Sequence, residues 1–131
     1  MIMLDSTILI DFLRGVPAAV NKISKNDTRK MFTSDISLFE LATGLCYSGV
    51  SPLKTEDILT KDLARFQVLP LTTKAAIQAG SIQGQLLHKG SRIGQSDALI
   101  AGIAKANNIS TILTRNKKHF ENIPGIKVVT Y

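Results

Sequence analysis

A chain of 131 residues with one cysteine can form no intrachain disulfide, yet it is long enough to bury roughly two-thirds of its unfolded surface in one core. Sixteen Lys and Arg against ten Asp and Glu give a formal charge of +6, which suits a polyanionic partner, and the 44% hydrophobic composition excludes a disordered chain. No apolar run approaches the roughly twenty residues of a membrane span, Asp5 and Asp11 break the opening apolar run so that no signal peptide is expected, and no repeat or linker divides the sequence.

A single domain over residues 1–131, at home in a reducing cytoplasm, is therefore expected. In chain order, Ile2–Leu4 reads as a short buried strand and Ser6–Leu13 as a helix closed by Arg14 and Gly15. Pro17 suits the first turn of a second short helix reaching about Lys25. Lys30–Thr33 is a second strand, and Ser37 opens a helix that carries Leu38, Leu41, Ala42 and Leu45 and ends near Tyr47. Thr55–Arg65 is a further helix with Ile58, Leu59 and Leu63 on one side, followed by a strand at Phe66–Leu69 that Pro70 stops. The longest helix runs from the N-cap Thr72, with Ala75, Ala79, Ile82 and Leu86 at helical spacing, to Gly90; Gly80 and Gly84 point to close packing on it. Ser96 caps a helix with Leu99, Ile100, Ile103 and Ala104 inward, ending at Asn107 and Asn108. Thr111–Leu113 and Lys127–Thr130 are the last strands, and Cys46 is expected as a small buried apolar residue. Strands alternating with helices predict an α/β protein with a parallel sheet covered on both faces, whose ligands bind beyond the carboxyl ends of the strands.

Three acids fall at that kind of location. Asp5 directly follows the first strand, Glu40 lies in the first turn of the helix after the second, and Asp97 opens the helix before Thr111–Leu113. The segment Thr114, Arg115, Asn116 leaves that last strand. If the early strands and Thr111–Leu113 are neighbours, all of these meet at one rim. Each acid alone has a helix-capping explanation: Ser37-x-x-Glu40 matches the capping box, and Asp5 and Asp97 stand at helix starts. Capping, however, needs no grouping in space, whereas a divalent cation does. Oxygen donors without Cys or His at ligand spacing suit a hard cation, Mg²⁺ or Mn²⁺. Setting those three acids aside leaves seven acids against sixteen bases, an acidic pocket in a basic surround, as a metal-dependent nuclease requires. Asp11 is expected to point away from Asp5, solvated or paired with Arg14; Asp35 is expected in a turn, and Phe12, Phe39 and Tyr47 in the core or a dimer face.

The stretches MLDSTILIDFLRG, SLFELATGL, GQSDALIAGIAKANN and ILTRNKKHF, in this order and spacing, resemble the PIN-domain family, and within it the VapC-type toxins of toxin–antitoxin pairs. The resemblance runs from Met3 to Val129. It implies a three-layer α/β/α sandwich around a five-stranded parallel sheet and Mg²⁺- or Mn²⁺-dependent cleavage of RNA. It also implies a homodimer and a cognate VapB-like antitoxin whose C-terminal segment covers the active groove. The family's acids carry over as Asp5 and Asp97, binding the metal directly or through water, and Glu40, holding a metal water. Ser6 and Thr114 then support metal waters or the scissile phosphate, and Arg115 and Lys117 face the RNA.

The chain departs from the family pattern at Asn116, where many members carry Asp, and at His119, where an acid often stands. One metal rather than two is therefore expected, with Asn116 ordering a water. Water attack on phosphorus leaves a 5′-phosphate and a 3′-hydroxyl. The metal-free route through the RNA 2′-hydroxyl wants a His pair, and His88 and His119 fall in no recognisable pairing. The alternative is a catalytically weak or inactive PIN-like module that binds RNA or protein, with Asn116 in its favour. A nucleotide-binding domain is set aside, because neither G-x-G-x-x-G nor G-x-x-x-x-G-K-[ST] occurs. The RNA target and the antitoxin's identity are not legible.

Overall fold

The chain, described over residues 1–131 in a computed structural model, runs β1 (Ile2–Leu4), α1 (Ser6–Leu13), α2 (Pro17–Ser24), β2 (Met31–Ser34), α3 (Asp35–Tyr47), α4 (Pro52–Asp62), β3 (Gln67–Leu69), α5 (Thr73–His88), α6 (Gln95–Ala106), β4 (Thr111–Leu113), α7 (Lys117–Phe120) and β5 (Lys127–Val129). All strand pairings are parallel, in the order β3-β2-β1-β4-β5. Side chains alternate across a strand, and here both faces are buried. Met3 and Ile112, paired in register, face α5, α6 and α7; Leu4 and Leu113, the next pair, face α1 through α4. The result is a three-layer α/β/α sandwich with a core on each side of a five-stranded parallel sheet.

Most of the expected elements form, within a residue or two, where their hydrophobic period places them. Ala75, Ala79, Ile82 and Leu86 are the buried stripe of α5, whose N-cap Thr72 accepts from the Ala75 N–H. Several boundaries differ for local reasons. Helix α3 starts at Asp35 rather than Ser37, because Ser34 is still extended and its Oγ accepts from the Ser37 N–H. Helix α4 starts at Pro52, where the fixed φ of proline fits the first turn and Ser51 supplies the cap. The N-cap of α6 is Gly94, not Ser96.

Close helix packing sits elsewhere than expected. A Cβ on Gly80 or Gly84 would meet nothing within 4 Å, whereas one on Gly102 would lie 2.5 Å from the Ala75 carbonyl oxygen and 2.7 Å from the Ala79 nitrogen. Gly102 of α6 is therefore where α5 and α6 touch backbone to backbone. Cys46, near the end of α3, is exposed rather than buried, with its Sγ 3.4 Å from the Thr55 hydroxyl of α4. Phe39 and Tyr47 are also exposed, at 66% and 93%, so neither fills the core. Phe12 does pack inward, edge-on to Phe66.

Candidate active site

Strand β1 is where the chain turns back. It builds outward to β2 and β3 on one side, then crosses to β4 and β5 on the other. A crevice opens at such a switch point, beyond the carboxyl ends of the strands. Asp5, Thr114 and the start of α3 all leave the sheet there: the Asp5 N–H donates to the Leu113 carbonyl (3.1 Å) and the Thr114 N–H to the Val129 carbonyl (3.0 Å).

Asp5 occupies the N-cap position of α1, yet its carboxylate makes no cap bond. Buried to 3% exposure, its Oδ2 accepts from the Thr114 hydroxyl (2.7 Å) and the Thr7 hydroxyl (3.0 Å). Oδ1 has only a distant Ser6 hydroxyl at 3.5 Å. Glu40 lies in the second turn of α3, too far along for the expected capping box. Its Oε2 accepts a 2.6 Å bond from Ser6 Oγ, reaching across from α1. Asp97 stands in the first turn of α6, where the helix dipole favours an acid. Its Oδ2 is 3.0 Å from His119 Nδ1.

The electrostatics tie the three acids together. Burial pushes the Asp97 carboxyl up to about 6; His119 opposes the rise, and the charges of Asp5 and Glu40 add to it. A carboxyl raised by two like neighbours and by desolvation marks a site short of positive charge. The donors are all oxygen, which fits a hard divalent cation. No three acidic, imidazole or thiol side chains close on one point. That arrangement fits an ion held by one or two carboxylates that keeps several of its waters, as Mg²⁺ does, rather than a complete protein cage.

Other candidate residues fall as follows. Ser6 and Thr114 are buried beside Asp5 and Glu40, both as hydroxyl donors. Asn116 caps the short α7 by position without a side-chain bond, and its N–H donates to Thr114 Oγ1 (3.0 Å). Arg115 is half exposed, but its Nη1 is bonded to Asp11 (2.9 and 3.1 Å). Lys117 is open to solvent, with Glu121 4.0 Å away. Asp11 is the clearest misreading. It is neither solvated nor paired with Arg14 but 5% exposed, held by Arg115 and by the Tyr131 hydroxyl at 2.8 Å. Asp35 opens α3 rather than sitting in a turn.

Thr7 and the His119–Asp97 pair escaped the sequence reading. Thr7 neighbours Asp5 in the chain, so its type and place were a usable signal. His119 lies 22 positions from Asp97 and Tyr131 lies 120 from Asp11, and no local spacing announces either contact.

Comparison with known proteins gives one consistent set of relatives. A family model described as the PIN domain matches residues 2–126. The tRNA(fMet)-specific endonuclease VapC of Salmonella typhimurium is 32% identical over 126 residues, covering 96% of this chain and 94% of that protein. Among solved structures, DNA-bound VapBC from Salmonella typhimurium superposes with a TM-score of 0.84 at 31% identity, over 98% of this chain and 96% of that one. VapBC2 from Rickettsia felis, bound to a promoter DNA fragment, superposes with a TM-score of 0.83 at 29% identity, over 100% and 99% of the two chains.

Proposed function

Because the chain belongs to the PIN-domain family, we propose that it is a VapC-like toxin, an endoribonuclease working at Asp5, Glu40 and Asp97 with one bound divalent cation, Mg²⁺ or Mn²⁺, and inhibited by a cognate VapB-like antitoxin. The observation that supports this reading is the meeting of acids at the switch point of the sheet: Ser6, next to Asp5, donates to Glu40 at 2.6 Å, and burial, with the charges of Asp5 and Glu40, raises the Asp97 carboxyl. Capping does not account for Asp5 or Glu40, since Asp5 makes no cap bond and Glu40 lies beyond the first turn.

When bound, the cation supplies a water of lowered pKa and offsets charge gathering on the phosphoryl group. Asp5 and Asp97 would hold it directly or through water. Glu40, with Oε2 held by Ser6, keeps Oε1 to orient the attacking water. Attack on phosphorus breaks the bond to the 3′ oxygen, giving a 5′-phosphate and a 3′-hydroxyl. Thr114 holds Asp5 in place, Asn116 orders a water, and the exposed cations of Arg115 and Lys117 face the RNA backbone. A groove of about 360 Å³ adjoins Glu40, lined by Ile10, Leu13, Leu41 and Leu45 between α1 and α3. A segment of the antitoxin lying there would cover the site. The reading includes a single domain over residues 1–131 acting in the cytoplasm as a homodimer, for which exposed Phe39, Tyr47 and Leu53 offer an apolar face. No helix is long and apolar enough to cross a membrane.

The test is cleavage of end-labelled tRNA and ribosomal RNA by antitoxin-free protein in EDTA, Mg²⁺ or Mn²⁺, wild type beside Asp97→Asn. Metal-dependent cutting lost in the variant supports the reading. Equal cutting by both sinks it. RNA binding without cutting favours the non-catalytic module, for which Asn116 in place of an acid is the one argument.

A further inference from the structure

Asp11 is a buried carboxylate that the proposed chemistry does not use. A buried charge is tolerated when it is paired and its oxygens are satisfied. Here Oδ1 accepts from Arg115 Nη1 (3.1 Å), and Oδ2 accepts from the same nitrogen (2.9 Å) and from the Tyr131 hydroxyl (2.8 Å). Burial, and next the bond to Asp11, push the Tyr131 phenol upward, which keeps it a proton donor. The three residues come from α1, from the turn after β4 and from beyond β5.

Thr7 and Asp11 are four residues apart on α1 and so share a face. That face grips residue 115 twice. Asp11 takes the guanidinium, and Thr7 Oγ1 accepts from the Arg115 main-chain N–H at 3.1 Å. The next main-chain donor, the Asn116 N–H, enters Thr114 Oγ1 at 3.0 Å. Each threonine has a single proton to give. With main-chain N–H groups entering both oxygens, the Thr114 proton goes to Asp5 Oδ2. The Thr7 proton goes to Asp5 Oδ2 or to Thr114 Oγ1, 3.1 Å away. Either way the hydroxyl chain delivers its protons to the Oδ2 side of Asp5 and leaves Oδ1 with only the Ser6 hydroxyl at 3.5 Å.

We propose that Asp11 and Tyr131 are positioning residues: through Arg115 they hold the turn after β4 so that the Thr7–Thr114 hydroxyl chain ends on Asp5 Oδ2, which fixes Oδ1 as the oxygen Asp5 offers to the cation. This rests on the nuclease reading above and adds to it three residues that touch neither cation nor RNA through this role. Loosening the turn rotates the two main-chain donors, frees the hydroxyl protons and lets the Asp5 carboxylate turn. Partners of a ligating group commonly change metal affinity by about ten- to a hundredfold when removed.

Mn²⁺ binding to RNA-free protein, followed by the loss of the free-ion electron paramagnetic resonance signal, reads this directly. Wild type, Asp11→Asn, Tyr131→Phe, Arg115→Lys, Arg115→Met and Asp97→Asn are compared well below their melting temperatures. The expected result is Mn²⁺ affinity about tenfold weaker in Asp11→Asn and Arg115→Met, and a smaller loss in Tyr131→Phe. Arg115→Lys, which keeps a cation facing Asp11, is expected to recover part of the affinity. In cleavage assays of Asp11→Asn and Tyr131→Phe the Mn²⁺ concentration for half-maximal rate rises by the same factor while KM for RNA stays put, a split that general destabilisation would not produce. Folded Asp11→Asn and Tyr131→Phe binding Mn²⁺ as tightly as wild type, with Asp97→Asn impaired, would overturn this inference alone. Wild type and Asp97→Asn binding Mn²⁺ equally poorly would overturn the nuclease reading and this inference with it.

Discussion

His119 Nδ1 and Asp97 Oδ2 lie 3.0 Å apart, so the acid at the head of α6 has an imidazole partner from α7, which follows β4 in the chain. The pairing moderates a carboxyl that its surroundings otherwise disfavour as an anion. Burial is the main cause of its elevation, and Asp5 and Glu40 contribute further.

That elevation makes the metal-free fold pH-sensitive. The Asp97 pKa rises from 3.8 to about 6 on folding, so its contribution to stability is fully present below 3.8 and is lost as pH rises through about 6. Asp97→Asn removes the loss. In EDTA at about pH 7.5 the variant is expected to be more stable than wild type, by about 1 kcal/mol once solvent screening of this partly exposed group is allowed for. Urea titrations at neutral and acidic pH check it: the two proteins converge at low pH, and equal stability at neutral pH would contradict the account of burial and like charges.

Ser6 joins α1 to α3 through its 2.6 Å bond to Glu40. Ser6→Ala is expected to cost about 2 kcal/mol in stability, the worth of one hydrogen bond to a charged, partly buried group. It also frees the Glu40 carboxylate to swing, lowering kcat by roughly tenfold, as loss of a supporting hydrogen bond commonly does. Unchanged kcat in the folded variant would remove Ser6 from the supporting set.

Gly102 and Gly80 make a matched pair. Alanine normally stabilises a helix over glycine by about 1 kcal/mol, and Gly80 has open space for its methyl. Gly80→Ala is expected to raise the melting temperature. Gly102→Ala drives a methyl into the Ala75 carbonyl and the Ala79 backbone, and is expected to cost about 1–3 kcal/mol despite the same propensity gain. Thermal melts of the two variants side by side distinguish the cases.

Lys117 is 64% exposed at the start of α7 with only a 4.0 Å contact to Glu121. If it meets an RNA phosphate, Lys117→Ala weakens RNA binding about uniformly across sequences and lowers the slope of log affinity against log salt by about 1. Binding isotherms at several KCl concentrations give that slope; an unchanged value would leave Lys117 as a surface cation.

What the sequence determined by itself was local or periodic. The buried stripe Ala75, Ala79, Ile82, Leu86 announced α5 because helix geometry repeats every 3.6 residues, and the alternation of short apolar strands with helices announced a parallel sheet. Asp5, Glu40 and Asp97 stood out because acids near strand and helix ends are chemically conspicuous. Tertiary structure decided the rest. Whether Ser6 meets Glu40, His119 meets Asp97, or Asp11 meets Arg115 and Tyr131 depends on the strand order and on which residue pairs with which across the sheet. Those are set by burying two faces at once. A hydrogen bond, in turn, forms only within a few tenths of an ångström of its proper length. Asp11 shows the consequence: its place on α1 says only which way it points, and a buried or solvated charge there depends entirely on what β4 and β5 bring up to it.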